Sequence, residues 1–271
     1  MSPVVREGAS RPLRPLSPLA TDLAAIVALT RRDLLRFLRD RSQLAGAIGR
    51  PLIWMLLFGS GLRRAVAGPA AGSLDYRQFV YCGAIAMTIL FAGMFQGITI
   101  VWDREFGMLR EVLVAPISRL AIVLGKTCAG SSVTLLQALV AAAFAPFVGV
   151  HFGIWDGLLL LGSMTLMSLG ITALAVAVGS RMQTFEGFGV ISNFVILPLY
   201  FLSGGVFPPE GMPEWMRAAV RLNPVTYAVD LMRASIGQPH AFGAGVDVAM
   251  VSGFAVAMCL LALLSFRRAS H

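Results

Sequence analysis

The sequence predicts an all-α integral membrane protein: six transmembrane helices, an N-terminal interfacial amphipathic helix and a pair of outer re-entrant helices. Three observations carry that prediction. The first is composition. Of the 271 residues, 57% are hydrophobic and only 13% are charged, whereas soluble domains run near 45–50% apolar and about 25% charged. The second is the recurrence of apolar runs of about 20 residues, the length a helix needs to cross a hydrocarbon core about 30 Å thick. The third is the uneven placement of arginine along the chain. A net charge of +8 would suggest nucleic acid in a soluble protein. Here it is read by position relative to a membrane, and no nucleic-acid partner is expected.

Residues 1–43 read as a cytoplasmic tail and 44–271 as the transmembrane domain. In the tail, Ser17 is placed to cap a helix with Pro18 in its first turn. Leu19, Leu23, Ile26, Thr30, Leu34 and Leu38 recur at helical spacing, while Asp22, Arg31, Arg32, Asp33, Arg36, Arg39 and Asp40 lie mostly elsewhere on the wheel. That pattern predicts an amphipathic helix in the membrane interface, its arginines meeting anionic headgroups of membrane lipid. A soluble helix packed on another protein is the alternative. No cleavable signal peptide is expected, because the apolar run 23–29 follows Asp22 without a cleavage site.

Spans are expected near residues 44–63, 78–101, 119–147, 157–180, 187–206 and 244–266. The third is long enough to tilt or to extend past the bilayer. In the first, Arg50 stands beside Pro51, an arginine that either snorkels to the headgroups or lines a pathway. In the second, Gly93 and Gly97 have GxxxG spacing, which permits close helix approach. Gln96 and Thr99 on that helix suit a polar path or a bond to a neighbouring helix. Trp54, Trp102, Tyr76 and Tyr81 fit interfacial belts.

Orientation follows from the basic residues of short loops. With six spans, one side carries Arg6, Arg11, Arg14, Arg31, Arg32, Arg36, Arg39, Arg41, Arg104, Arg110, Arg119, Arg181, Arg267 and Arg268. The other carries Arg63, Arg64, Arg77, Arg217, Arg221 and Arg233. The richer side is cytoplasmic, which puts both termini there.

Two segments between spans carry information. In the cytoplasmic loop 103–116, Asp103, Arg104, Glu105, Arg110 and Glu111 surround Phe106, Met108, Leu109 and Val112. A short helix here would show both charge and apolar side chains to water, a surface suited to a partner's groove. The outer segment 204–240 is too long and too apolar for an ordinary loop. It divides at helix signals. Pro213 opens one short helix, with Glu214, Arg217 and Arg221 on one face and Trp215, Ala219 and Leu222 on another. Asn223-Pro224 ends it and caps the next, which holds Tyr227 and an Asp230–Arg233 pair at i,i+3, and Gly237 is the stop. Two short amphipathic helices between spans describe a re-entrant hairpin or a cap over the outer mouth, with a surface hairpin packed on the bundle as the bland alternative.

Several chemistries are excluded. Cys82, Cys128 and Cys259 sit in apolar stretches without CxxC spacing, and His151, His240 and His271 are scattered, so no metal site is expected. Gly125-Lys126-Thr127 resembles the end of a phosphate-binding loop, but the glycine such a loop requires five residues earlier is Leu120. An intramembrane serine protease needs a nucleophilic serine in GxSG context and a histidine in a span, and neither is present. An ion-coupled secondary transporter normally leaves acids inside its spans. Here the span interiors are almost free of them, with Asp247 near an outer end and Lys126 near an inner one. A non-transporting membrane scaffold is the other alternative.

These residues resemble ABC-2-type permeases, the membrane subunits of exporters for drugs, nodulation lipo-oligosaccharides and polysaccharides. The matching pieces are Asp103-Arg104-Glu105 with Gly107, Leu109 and Pro116, then Gly125-Lys126, Glu186 and Asn193. They continue through LPLYFLSGGVFPPEGMPEWM, with Pro208, Pro209 and Trp215, to Asn223-Pro224-Val225-Thr226-Tyr227, Asp230 and Arg233. Asp103 stands where many members have another acidic residue. The resemblance implies a permease without catalysis of its own, located in the bacterial inner membrane. It implies pairing with a second permease subunit, as a homodimer, and with two ABC ATPase subunits that bind ATP and Mg. It further implies that residues 103–111 are the helix seated in the ATPase and that 18–41 is a connecting helix. Residues 207–237 are then outer re-entrant helices, and spans one, two and five border the pathway.

Overall fold

A computed structural model of the protein describes residues 18–57, 76–105, 118–207 and 212–268. Among them the regular structure is helical: α1 Pro18–Arg39, α2 Arg41–Leu56, α3 Tyr76–Phe95, α4 Ile98–Glu105, α5 Arg119–Ala142, α6 Ile154–Gly179, α7 Phe185–Phe201, α8 Glu214–Leu222, α9 Pro224–Ala234 and α10 Ala244–Arg268. Four stretches among the described residues are long and apolar enough to cross a membrane: Arg77–Asp103, Leu120–Ala142, Ile154–Gly179 and Ala244–Phe266. They coincide with the second, third, fourth and sixth expected spans. The fifth is the 17-residue apolar helix α7. Of the first, the description reaches Leu57; the rest of 44–63 and the expected cap Ser17 lie outside the described residues.

Local chemistry sets several boundaries. The third span was expected to reach residue 147, but α5 ends at Ala142 and the chain turns into a short 3-10 helix, Ala145–Val148. Pro146 has no N–H to continue an α-helical ladder, and its ring would crowd the carbonyl four residues earlier. Asp40 caps α2, its carboxylate accepting from the amides of Ser42 and Gln43. At Gln96–Gly97 the ladder tightens to i→i−3 bonds, Gln96 N to Gly93 O and Gly97 N to Met94 O, dividing one span into α3 and α4.

The centre of the bundle is α3 and α6. Of their apolar windows, 72% and 61% are buried, against 22% of α10, which lies along α6 at the periphery. Tyr81, Ile85 and Ile89 of α3 meet Met164, Met167 and Ile171 of α6 and Val229 and Met232 of α9. Lipid tails are as apolar as these side chains, so close packing rather than water exclusion favours this arrangement. Missing Cβ atoms make it possible. A Cβ on Gly97 would stand 2.4 Å from the Ala175 carbonyl, and one on Gly179 2.5 Å from the Gly97 carbonyl. Gly93 also faces α6, at Ile171. Several buried hydroxyls bond within their own helices, Thr88 on Ala84 O and Thr134 on Gly130 O among them.

Three expectations are corrected. Tyr81, expected in an interfacial belt, is wholly buried and its hydroxyl donates to Ala142 O at 2.7 Å. The stripe expected on α1 is split: α1 approaches α5 through Ile26 and Leu29, which meet Gly125, and through the buried Phe37, while Leu19, Leu23 and Leu38 stay exposed. The second outer helix was expected to be amphipathic, but every residue of α9 from Val225 to Arg233 is buried. Its polar side chains find partners inside the protein.

Candidate functional sites at the two ends of the bundle

At one end, α4, α5 and α1 converge. Asp103, in the last turn of α4, forms an ion pair with Lys126 of α5, their side chains 16% and 9% exposed. Lys126 is the only lysine of the chain, and a lone lysine inside an apolar helix requires an acid. That signal was available in the sequence, where Lys126 had served only to reject a nucleotide site. Asp103 thus has a partner within the bundle, at the start of the segment expected to face the ATPase. Arg104 and Glu105 close α4, with Glu105 exposed. Phe106, Gly107, Met108, Leu109, Arg110 and Glu111 lie outside the described residues.

The same end is tied together by α1. The Ser118 amide and hydroxyl donate to the two oxygens of Asp22, at 3.0 and 2.5 Å, while the Ser118 hydroxyl accepts from Ala121 N and caps α5. These donors hold the exposed Asp22 carboxyl below the usual carboxylate range. Arg36 lies 6.0 Å from the Trp102 ring, which packs edge-on against Phe185 of α7. Between α1, α2, α4 and α5 lies a cavity of about 410 Å³, lined by Arg32, Arg36, Gln96, Thr99, Asp103 and Lys126. Gln96 and Thr99, the candidate polar-path residues, thus share a polar cavity. Arg50, further along α2, is half-buried with its guanidinium 5.6 Å from the Phe91 ring, so it turns toward α3.

At the opposite end, the signature residues act as tethers. Asn223 caps α9 by accepting from Val225 N, and its amide donates to Leu199 O at the end of α7. Pro224 fills the first position of α9, where no N–H is needed. The Thr226 and Tyr227 hydroxyls donate to Val220 O and Arg221 O, both at 2.7 Å, fastening α8 to α9. The i,i+3 spacing had paired Asp230 with Arg233; the structure gives each a backbone partner. Asp230 accepts from Ala241 N at 2.9 and 3.0 Å and from Phe242 N at 2.8 Å. Arg233 donates to Gly204 O and lies 4.0 Å from the Phe79 ring. Gly83 of α3 meets the same turn, where a Cβ would stand 2.2 Å from Gly205 O. Trp215 is 69% exposed on α8, and Pro208 and Pro209 lie outside the described residues.

Sequence reasoning placed Asp247 near an outer span end but gave no sign of its burial. It is fully buried at the start of α10, and its carboxylate oxygens have no hydrogen-bond partner among the described residues.

Four stretches long and apolar enough to cross a membrane, packed together around a largely buried Asp103–Lys126 ion pair, define a multi-pass membrane protein. The chain belongs to the ABC-2 type transporter family, as a permease subunit, the family model matching residues 24–236. It is similar to nodulation protein J of Rhizobium leguminosarum bv. trifolii, 28% identical over 247 residues covering 89% of each chain. It is 30% identical over 210 residues to the ycf38 protein of Pyropia yezoensis, described as a transport permease, covering 76% of this chain and 71% of the relative. The DrrC protein of Mycobacterium tuberculosis, described as a doxorubicin resistance ABC transporter permease, is 25% identical over 257 residues, 92% of this chain and 90% of the relative.

Proposed function

We propose that this chain is the membrane-spanning subunit of an ATP-driven exporter, moving a small amphipathic or lipid-linked substrate out of the bacterial cytoplasm. One observation carries the reading. The segment 103–111 begins on a helical stub pinned to the next span by the Asp103–Lys126 ion pair. A force applied to that segment by a partner would move two spans rather than a loose loop. The partner is a pair of ABC ATPase subunits, which bind ATP and Mg. The permease has six spans in the inner membrane, with both termini cytoplasmic. Residues 207–237 form re-entrant helices at the outer face, a reading supported by the burial of α9 and its tethers to α7. The permease works as a homodimer, supported by the exposed α7 face of Val190, Phe194 and Leu197 beside Asn193. ATP binding and hydrolysis shift the dimer between inward-open and outward-open states by binding them unequally.

Charge reversal at Arg104 and Glu105 tests the coupling assignment. The R104E/E105R variant should insert normally yet recover less ATPase on affinity purification from native membranes; normal complex yield and transport would sink it. A cysteine at 214 should be labelled from outside intact cells and one at 108 should not, and the reverse pattern would overturn the orientation. A second reading, ion-coupled secondary transport, draws on the buried Asp247. ATP-dependent transport that persists in D247N without an ion gradient dismisses it.

A further inference from the structure

The tethered end holds a cavity of about 310 Å³ whose lining includes Arg217, Arg221, Asp230, Arg233 and His240. That size lies at the lower end of the range for small-ligand pockets, about 300–1,000 Å³. Its charges are unevenly committed. Asp230 is held by the amides of Ala241 and Phe242, neutral donors that leave its charge in place, and Arg233 is engaged by Gly204 O and Phe79. Arg217 and Arg221 are exposed one helical turn apart, with no ion-pair partner among the described residues. Like charges at i,i+4 destabilise a helix, and the lining carries three guanidiniums against the single Asp230 carboxylate. An anion in the cavity would remove that cost, and arginine's planar fork suits a phosphate.

The other flank of α8 narrows the source of the anion. Trp215 and Leu222 are 69% and 83% exposed, while Val220 is buried against the protein. The helix thus has an apolar flank open to lipid and an arginine flank on the cavity, the disposition of a helix lying at headgroup level. We propose that this cavity binds the phosphate of an anionic phospholipid headgroup from the outer leaflet, held by Arg217 and Arg221. The proposal rests on the orientation given above, in which α8 lies at the outer face of the membrane.

Trp215 is the natural reporter. The chain has four tryptophans, so replacing Trp54, Trp102 and Trp155 by Phe leaves it alone. The full chain is reconstituted in phosphatidylcholine with increasing phosphatidylglycerol, one or the other lipid carrying brominated acyl chains that quench it. Brominated phosphatidylglycerol should be enriched beside Trp215 by up to about thirty-fold, on the scale of two arginines at an anionic surface. R217Q/R221Q should bring the two lipids to parity, and R217K/R221K should fall between. Excess inorganic phosphate that leaves the preference intact assigns the site to the headgroup. Phosphate that abolishes it overturns the lipid assignment in favour of a soluble anion. Equal quenching by both lipids in the parent protein, or an unchanged preference in R217Q/R221Q, refutes the proposal. Quenching by neither lipid refutes it together with the membrane placement of α8, whereas inside labelling at position 214 with the preference intact would overturn only the orientation. Native mass spectrometry on the protein with all its tryptophans gives a second readout: R217Q/R221Q should retain fewer phosphatidylglycerol molecules.

Discussion

Replacing Asp230 by Asn should free the segment that follows α9. In the native protein this carboxylate accepts two amides, Ala241 N on both oxygens and Phe242 N at 2.8 Å. An asparagine of the same shape keeps one oxygen and turns an NH2 group toward the other amide, so a donor meets a donor. Orphaning a buried donor costs about 1–3 kcal/mol, and loss of the charge weakens the surviving bond by about 1 kcal/mol more. Ala241 is exposed, so water replaces part of what is lost, and about 2 kcal/mol remains. That corresponds to a roughly thirty-fold loss of protection at the two amides. The stacking of Phe242 on Tyr227, ring centroids 4.9 Å apart, survives the substitution and keeps the effect local. Hydrogen exchange resolved at peptides spanning 238–243 is the assay. Faster exchange there, with the α6 core unchanged, is the expected result. Unchanged exchange in D230N would refute the assignment of Asp230 as the tether of this segment.

Three further outcomes are expected. K126M should destabilise the protein by about 2–4 kcal/mol by stranding a largely buried carboxylate, and D103L/K126M should recover most of that loss in thermal-melting assays; additive losses would argue against the pair. The Asp22–Ser118 contact should hold above the ordinary carboxylate value of 3.8 and be lost as pH falls through the lowered folded value. Spin labels at Leu23 and Leu120 should therefore stay together at pH 3.8 and separate only at lower pH, and D22N should show the wider distance at neutral pH. G97A places a Cβ 2.4 Å from Ala175 O and 2.7 Å from the Phe188 ring, an overpacking cost of about 1–3 kcal/mol, so transport should fall while ATPase subunits still co-purify.

The long spans were legible because an apolar run of twenty or more residues has few other solutions. The Asn223-Pro224 boundary was legible because capping is local chemistry, read three residues at a time. What local spacing concealed was tertiary. On a helical wheel, Asp230 and Arg233 looked like the polar face of a surface helix, and their partners, Gly204 and Ala241, lie in separate turns. A polar residue aimed at a backbone group looks the same in sequence as one aimed at water. The Asp103–Lys126 pair was hidden for a related reason, since its members belong to different helices and the acid also fitted the charged segment that follows. Gly83 gave no signal at all, because nothing in a helical glycine announces which carbonyl will approach it.

One helix pair touches both ends of the molecule. α3 meets the tethered turn at Gly83, and α4, after the break at Gly97, ends on Asp103. From Gly83 to Asp103 is about 30 Å at helical rise. The break is not a free hinge, because Gly97 admits the Ala175 carbonyl and Gly179 admits the Gly97 carbonyl, which fixes the crossing with α6. A push on α4 must therefore either move α6 with it or open the i→i−3 bonds at Gln96–Gly97. The first path carries motion to α10, which lies along α6, and to α9, which packs on both. The second leaves α3 and the tethered end at rest. The bonds at the break are few and of tighter, poorer geometry than the α-helical ladder, whereas the glycine crossing is backbone on backbone with no side chain to yield. The break is the softer element, so small displacements at the Asp103 end should be absorbed there. Only a displacement large enough to carry α6 would reach the Asn223–Arg233 tethers, which gives the two ends a threshold rather than a continuous linkage.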